Sequence, residues 1–428
     1  MKNNLFVKST LILIISGFLT KILGFIIRIV FTRIIGPYGI SLYTIATPTY
    51  SLLLTISTLA IPISISKLVA ENKGRSIRIL TSAAALILII NFLLILLILL
   101  THDFIAINLL KEPKAGPILV AMALTLPFVS ISSVLKGYFA GKQNMIPHAT
   151  SNVIEQIIRL IIIATVLPIL MEKSVMIAVI GLVLLTIVSE ISSIIVFLFF
   201  IPKKINLRTN LKPTYTITKD ILDISLPSVS SRIIGNIGYF FEPIILTNLL
   251  IISGYSSTYV LAEYGAYNAY SISLLTMPSF FIAAISSSLL PEISKFHANN
   301  NKIMVKKRIK QGLLFAFLIG LFFSTLIFAF RNTLLFYLYK TTIGSKYIKI
   351  LAPFFVLFYL EGVLTSSLQA TGYAKVTMKI TLYGVFIKLI ILSILSLCHI
   401  GIYSLVIAEI INILFVVLLN FKAIKNII

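Results

Sequence analysis

The sequence predicts an all-α integral membrane fold, with about twelve transmembrane helices in two six-helix lobes that repeat in parallel around a central cavity. Three observations carry this. Of 428 residues, 58% are hydrophobic and only 11% charged, against about 25% charged in an ordinary soluble domain. The apolar residues gather into runs of the roughly 20-residue length that crosses about 30 Å of hydrocarbon. The second half of the chain also echoes the first at an offset of 226–231 residues.

Taken in order, the first run covers 9–35 and passes Lys21 with no small-residue cleavage site. It therefore reads as a retained span and not as a signal peptide. After Gly36-Pro37 the second run covers 40–66 and stops at Lys67. Runs at 79–100, 117–139, 147–170 and 174–201 follow, bounded by charge, proline or glycine clusters. They complete a first lobe at 1–202. The polar stretch 203–220, rich in Lys and Arg, reads as a cytoplasmic linker. The second lobe, 221–428, holds runs at 221–251, 258–290, 311–331, 349–370, 376–397 and 401–421. No segment between the runs is long enough to bury a separate soluble core.

The formal charge of +23 would suggest nucleic acid in a soluble protein. Here the bases lie mainly in short loops, where they report topology and attraction to anionic membrane lipid, so no nucleic-acid partner is expected. The clusters at 67–78, 203–219 and 295–310 all fall on the side of the N-terminus. The positive-inside rule then places both termini in the cytoplasm of a multi-pass cell-membrane protein. Cys398 is the single cysteine, which excludes a disulfide within the chain.

Catalytic signals are poor. The stretch Gly137-Tyr138-Phe139-Ala140-Gly141-Lys142-Gln143 is one residue short of a phosphate loop and lacks its Ser or Thr. The histidines His102, His148, His297 and His399 are far apart and lack zinc-site spacing. No enzyme activity, cofactor or metal is expected.

The internal echo has particular members. Ser64-Ile65-Ser66-Lys67, ending the second run, matches Glu292-Ile293-Ser294-Lys295 at the end of the eighth. Ala140-Gly141-Lys142 before the fifth run matches Thr371-Gly372-Tyr373 before the eleventh. Two lobes of the same orientation with a substrate site between them near the midplane is transporter architecture.

Ionisable groups deep in a span cost on the order of 2.5–3.5 kcal/mol each, so each asks for a partner, a wet cavity or a substrate. Lys21 sits about 18 Å into the first span at 1.5 Å per residue. Lys21, Gly24, Arg28 and Thr32 lie close to one helix face. Glu155 and Arg159 are spaced i and i+4 with the acid first, the favourable order for a pair on one helix. Arg232 and Lys388 are also deep, and Glu190, Glu242, Glu361 and Glu409 supply acids in other spans. Glu242 precedes Pro243, which removes a backbone donor and favours a kink. The five deep bases, Lys21, Arg28, Arg159, Arg232 and Lys388, suit a diphosphate, to which Arg offers a bidentate fork and Lys a point charge. Glu155, Glu242 and Glu361 are candidate cavity acids or ion-pair partners.

The opening spans carry Thr20-Lys21-Ile22-Leu23-Gly24-Phe25-Ile26-Ile27-Arg28, then Arg33-Ile34-Ile35-Gly36-Pro37-Tyr38-Gly39, then Pro48-Thr49-Tyr50-Ser51. With Ile65-Ser66-Lys67-Leu68-Val69-Ala70-Glu71, Leu135-Lys136-Gly137-Tyr138-Phe139 and Ile154-Glu155-Gln156-Ile157-Ile158-Arg159, the pattern resembles the polysaccharide biosynthesis flippases. It extends more loosely through Leu289-Leu290-Pro291-Glu292-Ile293 and Leu368-Gln369-Ala370-Thr371-Gly372.

That family belongs with the multidrug and oligosaccharidyl-lipid exporters. The resemblance implies two six-helix lobes that alternate access, and transport of an undecaprenyl-diphosphate saccharide such as lipid II or a polysaccharide precursor. The product would serve peptidoglycan, spore cortex or polysaccharide synthesis. The resemblance also implies that Lys21 and Arg28 meet the diphosphate, whereas Arg159, Arg232 and Lys388 join them on depth alone. Many members have fourteen spans against the twelve counted here. A cation-coupled multidrug exporter of the same fold is the alternative, and there buried acids should dominate. A non-transporting scaffold for envelope-synthesis enzymes is the third reading, and it leaves the deep bases without a use.

Overall fold

The computed structural model describes residues 2–71, 76–201 and 214–427, and every regular element among them is helical. Among the described residues ten helices are long and apolar enough to cross a membrane, or eleven when one bent pair is counted as a span. The first of them explains the remaining difference from twelve. Helix α1 runs Lys2–Thr58, and its 57 residues would measure about 85 Å if straight. It is not straight. Gly36 (φ 68°, ψ −179°) interrupts it, a backbone state open to glycine and costly for a residue with a Cβ. The rings of Phe31 and Tyr43 lie 5.7 Å apart. Twelve residues along a continuous helix would separate them by about 18 Å. The chain therefore folds back at Gly36-Pro37, and α1 comprises the first crossing and most of the second.

By contact density the chain divides into two units, Met1–Phe240 and Phe241–Ile428. In the first unit α1 leads through Leu59 and Ala60, both at positive φ, into α2 (Ile61–Glu71). Helices α3 (Ser76–Asp103), α4 (Ala115–Gly141), α5 (Ile146–Lys173) and α6 (Val175–Phe200) follow. Ser174 caps α6, its Oγ accepting from the Ile177 amide at 3.1 Å. Helix α7 (Tyr215–Ile252) begins in this unit, where Ile217, Ile221 and Val229 join a core with Ile65, Ile79, Tyr138 and Phe197. Of the linker expected at 203–220, residues 203–213 lie outside the described residues, and 215–220 already belong to α7.

Two features bring the helices of this unit close. A Cβ on Gly137 would lie 2.7 Å from the Pro62 Cα, and one on Gly141 would lie 2.7 Å from the Ser66 carbonyl, so α4 packs on the backbone of α2. Small residues serve this end in membranes, where the hydrophobic effect gives helices no mutual attraction. Second, buried Ser57, Asn91 and Ser130 tie α1, α3 and α4 into one hydrogen-bonded triad. Ser57 Oγ donates to Asn91 Oδ1 at 2.7 Å and shares a bond with Ser130 Oγ, while Asn91 Nδ2 donates to the Ile87 carbonyl at 2.8 Å.

The second unit contains the end of α7 and a span bent by 48°. That span runs from α8 (Ser257–Gly265) through a π-helical stretch (Ala266–Ile272) and a short turn of helix to Pro278, then into α9 (Ser279–Ala298). Helices α10 (Lys302–Tyr339), α11 (Ser345–Ala370), α12 (Ala374–Ser396) and α13 (Tyr403–Ile427) complete it. The sequence echo has a structural counterpart here. In the first unit Ser66 meets Gly141, and in the second Ser294 Oγ donates to the Ala370 carbonyl at 3.1 Å. Ser66 and Ser294 are matched positions, and Ala370 directly precedes the motif matched to the one that holds Gly141, so each contact joins the end of one span to the end of the same neighbouring span.

Gly137→Ala forces the α2 and α4 backbones apart, and should lower stability by about 1–3 kcal/mol, as overpacking does. Gly235→Ala, in α7 with nothing within 4 Å of its Cβ position, should leave stability unchanged or raise it by up to about 1 kcal/mol, the helix propensity of alanine over glycine. Thermal unfolding in detergent checks both, and equal melting temperatures would contradict the close α2–α4 approach.

Candidate functional site

Charge inside the spans is gathered into a few clusters. In the first unit α5 presents Glu155 and Arg159 one turn apart, and the pair closes at 3.0 Å. Two neighbours join it. Lys136 from α4 reaches the other Glu155 oxygen at 3.4 Å, and Glu190 from α6 reaches Arg159 Nη2 at 3.4 Å. Arg159 Nε also donates to Ser189 Oγ at 3.0 Å, and Gln156 Nε2 donates to Glu155 Oε1 at 3.3 Å. Two acids and two bases thus balance. Glu155 and Glu190 are buried, and each charge has a counter-charge in reach, the condition under which ion pairs survive in low dielectric.

The α1 face lies beside this cluster. A Cβ on Gly24 would be 3.9 Å from Gln156 Oε1, so α1 rests against α5 at the turn that carries Glu155. Lys21 and Arg28 flank Gly24 on that helix. Lys21 is exposed and, among the described residues, has no ion-pair partner. Arg28 is half-buried. Arg232 in α7 is exposed and likewise has no ion-pair partner among the described residues.

In the second unit Lys388 from α12 sits between two carboxylates, its Nζ 2.6 Å from Glu242 Oε2 on α7 and 2.6 Å from Glu409 Oε2 on α13. The Tyr264 hydroxyl, from α8, donates to Glu242 Oε1 at 3.5 Å. Glu361 on α11 stands apart. It has no ion pair among the described residues and lines a cavity of about 570 Å³ with Ser279, Ser286, Thr365 and Gln369. The hydroxyls of Ser279 and Ser286 are buried there with no hydrogen-bond partner.

The structure therefore sorts the five deep bases. Arg159 and Lys388 are each held by two carboxylates, whereas Lys21 and Arg232 have no ion pair among the described residues, and Arg28 is half-buried on the same helix as Lys21. Of the acids, Glu155 and Glu242 are ion-paired and Glu361 is a cavity acid. Lys136 was not singled out by depth, because it lies only six residues before the α4–α5 connection at Lys142. Outside the spans, Lys114 donates to the Tyr38 hydroxyl at 2.9 Å, and that bond raises the pKa of its ammonium above the ordinary value.

The family described as polysaccharide biosynthesis protein matches residues 6–297 of the chain, and the MatE family matches 243–395. The chain is 33% identical over 402 residues to stage V sporulation protein B of Bacillus subtilis (strain 168), covering 91% of this chain and 77% of that protein. Among solved structures it is similar to an inward-facing multidrug resistance MATE family transporter of the MOP superfamily, with a TM-score of 0.78 at 15% identity, covering 95% and 94% of the two chains. It is also similar to lipid II flippase MurJ in an inward closed conformation, with a TM-score of 0.70 at 17% identity, covering 96% and 87%. At these identities the structural likenesses establish the fold, that of a multi-pass membrane transporter.

Lys388→Met removes the base from between two carboxylates and should destabilise the protein by about 3–5 kcal/mol, the cost of breaking a buried ion pair. Adding Glu242→Gln and Glu409→Gln should restore most of that loss. A single variant that unfolds in detergent at the wild-type temperature refutes the clamp.

Proposed function

The chain belongs to the polysaccharide biosynthesis protein family of membrane transporters, and on that premise we propose that it is a flippase for an undecaprenyl-diphosphate-linked saccharide. It carries lipid II or a related precursor from the cytoplasmic to the outer leaflet of the cell membrane by alternating access, with both termini cytoplasmic. The relatives' names support this class of cargo: one is a sporulation protein and one a lipid II flippase.

The observation that carries the reading is the distribution of deep charge. In the first unit the acids Glu155 and Glu190 are matched by Lys136 and Arg159, while Lys21 on α1 and Arg232 on α7 have no ion pair among the described residues and are positive charge beyond what the cluster neutralises. An excess of base within the spans fits an anionic cargo. A diphosphate would be met by the Arg28 guanidinium through paired N–H donors and by the Lys21 ammonium as a point charge. Arg159 and Lys388 are each already held by two carboxylates.

A second reading has its own observation. Deep in the second unit there are three acids to one base: Lys388 is held between Glu242 and Glu409, and Glu361 lines a cavity apart from them. Acid in excess is what a cation-coupled exporter requires. In a flippase the same excess would couple transport to a cation.

Purified protein in vesicles, offered labelled lipid II, a second undecaprenyl-diphosphate sugar and a cationic dye, separates the two. Movement of the diphosphate lipids is expected, and movement of the dye alone overturns the proposal. Arg28→Ala and Lys21→Ala should each slow lipid movement roughly 10- to 100-fold, the loss that follows from one charge-assisted hydrogen bond, with insertion and folding intact. Wild-type lipid II translocation by Arg28→Ala removes that residue from the site.

A further inference from the structure

The end of the second unit opposite the C-terminus carries a feature apart from the deep charge clusters. Helix α11 starts at this end, α12 returns to it and α13 leaves it again. Contacts confirm the grouping. The rings of Tyr347 and Tyr403, at the starts of α11 and α13, lie 5.7 Å apart, and Ser253 Oγ, after α7, donates to the Ser396 carbonyl at 2.8 Å.

Here the α10–α11 connection and α8 enclose a cavity of about 460 Å³, lined by Arg331, Asn332, Ser345, Lys346, Lys349 and Glu263. Three bases face one acid. That acid is already satisfied: Lys346 Nζ is 2.7 Å from Glu263 Oε1, and the Tyr347 hydroxyl donates to Glu263 Oε2. Arg331 and Lys349 are left without a carboxylate among the described residues. Arg331 is nonetheless fixed in direction. Its Nη1 donates to the Phe328 carbonyl at 2.8 Å and its guanidinium lies 5.5 Å from the Phe328 ring centroid, which leaves further N–H donors for a ligand.

The backbone adds to the positive field. Gly344, at φ 91°, turns the chain directly into the 26-residue α11 with no side-chain cap; the Ser345 amide donates to the Thr342 carbonyl at 3.2 Å and the Tyr347 amide to the Gly344 carbonyl at 2.9 Å, which leaves the Lys346 amide open in the first turn. The Ser345 hydroxyl donates to Asn332 Oδ1. A Cβ at Gly344 would lie 2.6 Å from Ser271 Oγ, and that hydroxyl donates to the Gly344 carbonyl at 2.8 Å, so the turn is held in place. A helix N-terminus presents roughly half a positive charge. Here it adds to two side-chain cations without counter-ions.

The surroundings indicate where the ligand comes from. Phe336 is 52% exposed and Tyr337 is 67% exposed on the last turn of α10, and Tyr255 stacks on Tyr259 with ring centroids 5.1 Å apart. Exposed aromatics with one wet edge mark the headgroup level of a bilayer. Bases in a pocket at that level are within reach of a lipid phosphate, to which Arg offers a fork and Lys a point charge.

We propose that this cavity binds a phosphoryl group at the membrane interface, held by Arg331 and Lys349 beside the positive end of α11. The site is distinct from the deep bases and stands whether or not the cargo is a diphosphate lipid.

Thermal unfolding of the full-length protein in a neutral detergent tests it, with three probes titrated separately: inorganic phosphate against chloride at equal ionic strength, dioleoylphosphatidylglycerol, and a phosphate-free diglucosyl diacylglycerol. Saturable stabilisation by phosphatidylglycerol is expected. Stabilisation by inorganic phosphate as well assigns the site to the phosphoryl group alone, and stabilisation by phosphatidylglycerol only assigns it to a lipid headgroup. Arg331→Gln with Lys349→Gln should raise the half-saturating concentration roughly tenfold or more, as loss of charged hydrogen bonds does. Lys302→Gln with Lys306→Gln, at the other end of the unit, should not. Lys349→Gln alone, at an exposed position, covers the case in which the double variant fails to fold. Equal stabilisation by the glycolipid, no stabilisation by either phosphate probe, or an unchanged half-saturation in Lys349→Gln overturns the proposal.

Discussion

Charge placed in hydrocarbon must be met within the protein, and the way this chain meets it determines which helices stand together and at what rotation. Arg159 is gripped by Glu155 one turn earlier on α5 and by Glu190 from α6, while Lys136 draws α4 to the same carboxylate. Lys388 does for α7, α12 and α13 what Arg159 does for the first unit. Rotating any of these helices by one residue, about 100°, would turn its charge toward lipid. The clusters therefore index the helices as a polar residue indexes a coiled coil. The small-residue contact of α4 on α2 and the Ser57–Asn91–Ser130 triad then operate between helices already set in register.

Much of this was legible because a bilayer imposes so few length scales. Run length alone located the crossings, and Gly36-Pro37 read as a boundary is where α1 reverses. The Glu155–Arg159 pair followed from its i, i+4 spacing. Other pairs were recoverable by counting from the connection between two helices. Arg159 lies fifteen residues before Ser174 and Glu190 sixteen after it, and Lys388 lies eleven before His399 and Glu409 ten after it, so each pair stands at one depth in an antiparallel hairpin. Glu242 and Lys388 admit no such count, because they lie on helices far apart in sequence and meet through tertiary packing alone. The bend in the eighth crossing was invisible for a different reason. Hydropathy is a sum over a window, and the run 258–290 is as apolar bent as straight. Cavities are harder still, since the pocket at Arg331 depends on how a connection folds over its own helix ends.

The two units share a plan and spend it differently. At the repeat offset, Ser57, Asn91 and Ser130 of the first unit correspond to Ser286, Gly320 and Tyr359 of the second. In the first unit the three side chains close a sealed triad. In the second, glycine replaces the asparagine, Tyr359 packs against Gly320 and sends its hydroxyl to the Leu275 carbonyl, and the Ser286 hydroxyl is left facing the cavity of Glu361. The loss of one amide at the centre of the triad converts a fixed three-helix contact into open space beside an acid.

The bases on α1 also bear on how the protein is made. Lys21 and Arg28 each cost on the order of 2.5–3.5 kcal/mol in an isolated spanning helix, and the helix they rest against, at Gln156, is encoded 132 residues after Gly24. At 5–20 residues per second, that interval lasts on the order of ten seconds. Throughout it the first crossing is a poor tenant of the bilayer. Its biogenesis therefore depends on being retained beside the insertion machinery until α5 emerges, so the order of synthesis is part of how this fold is reached.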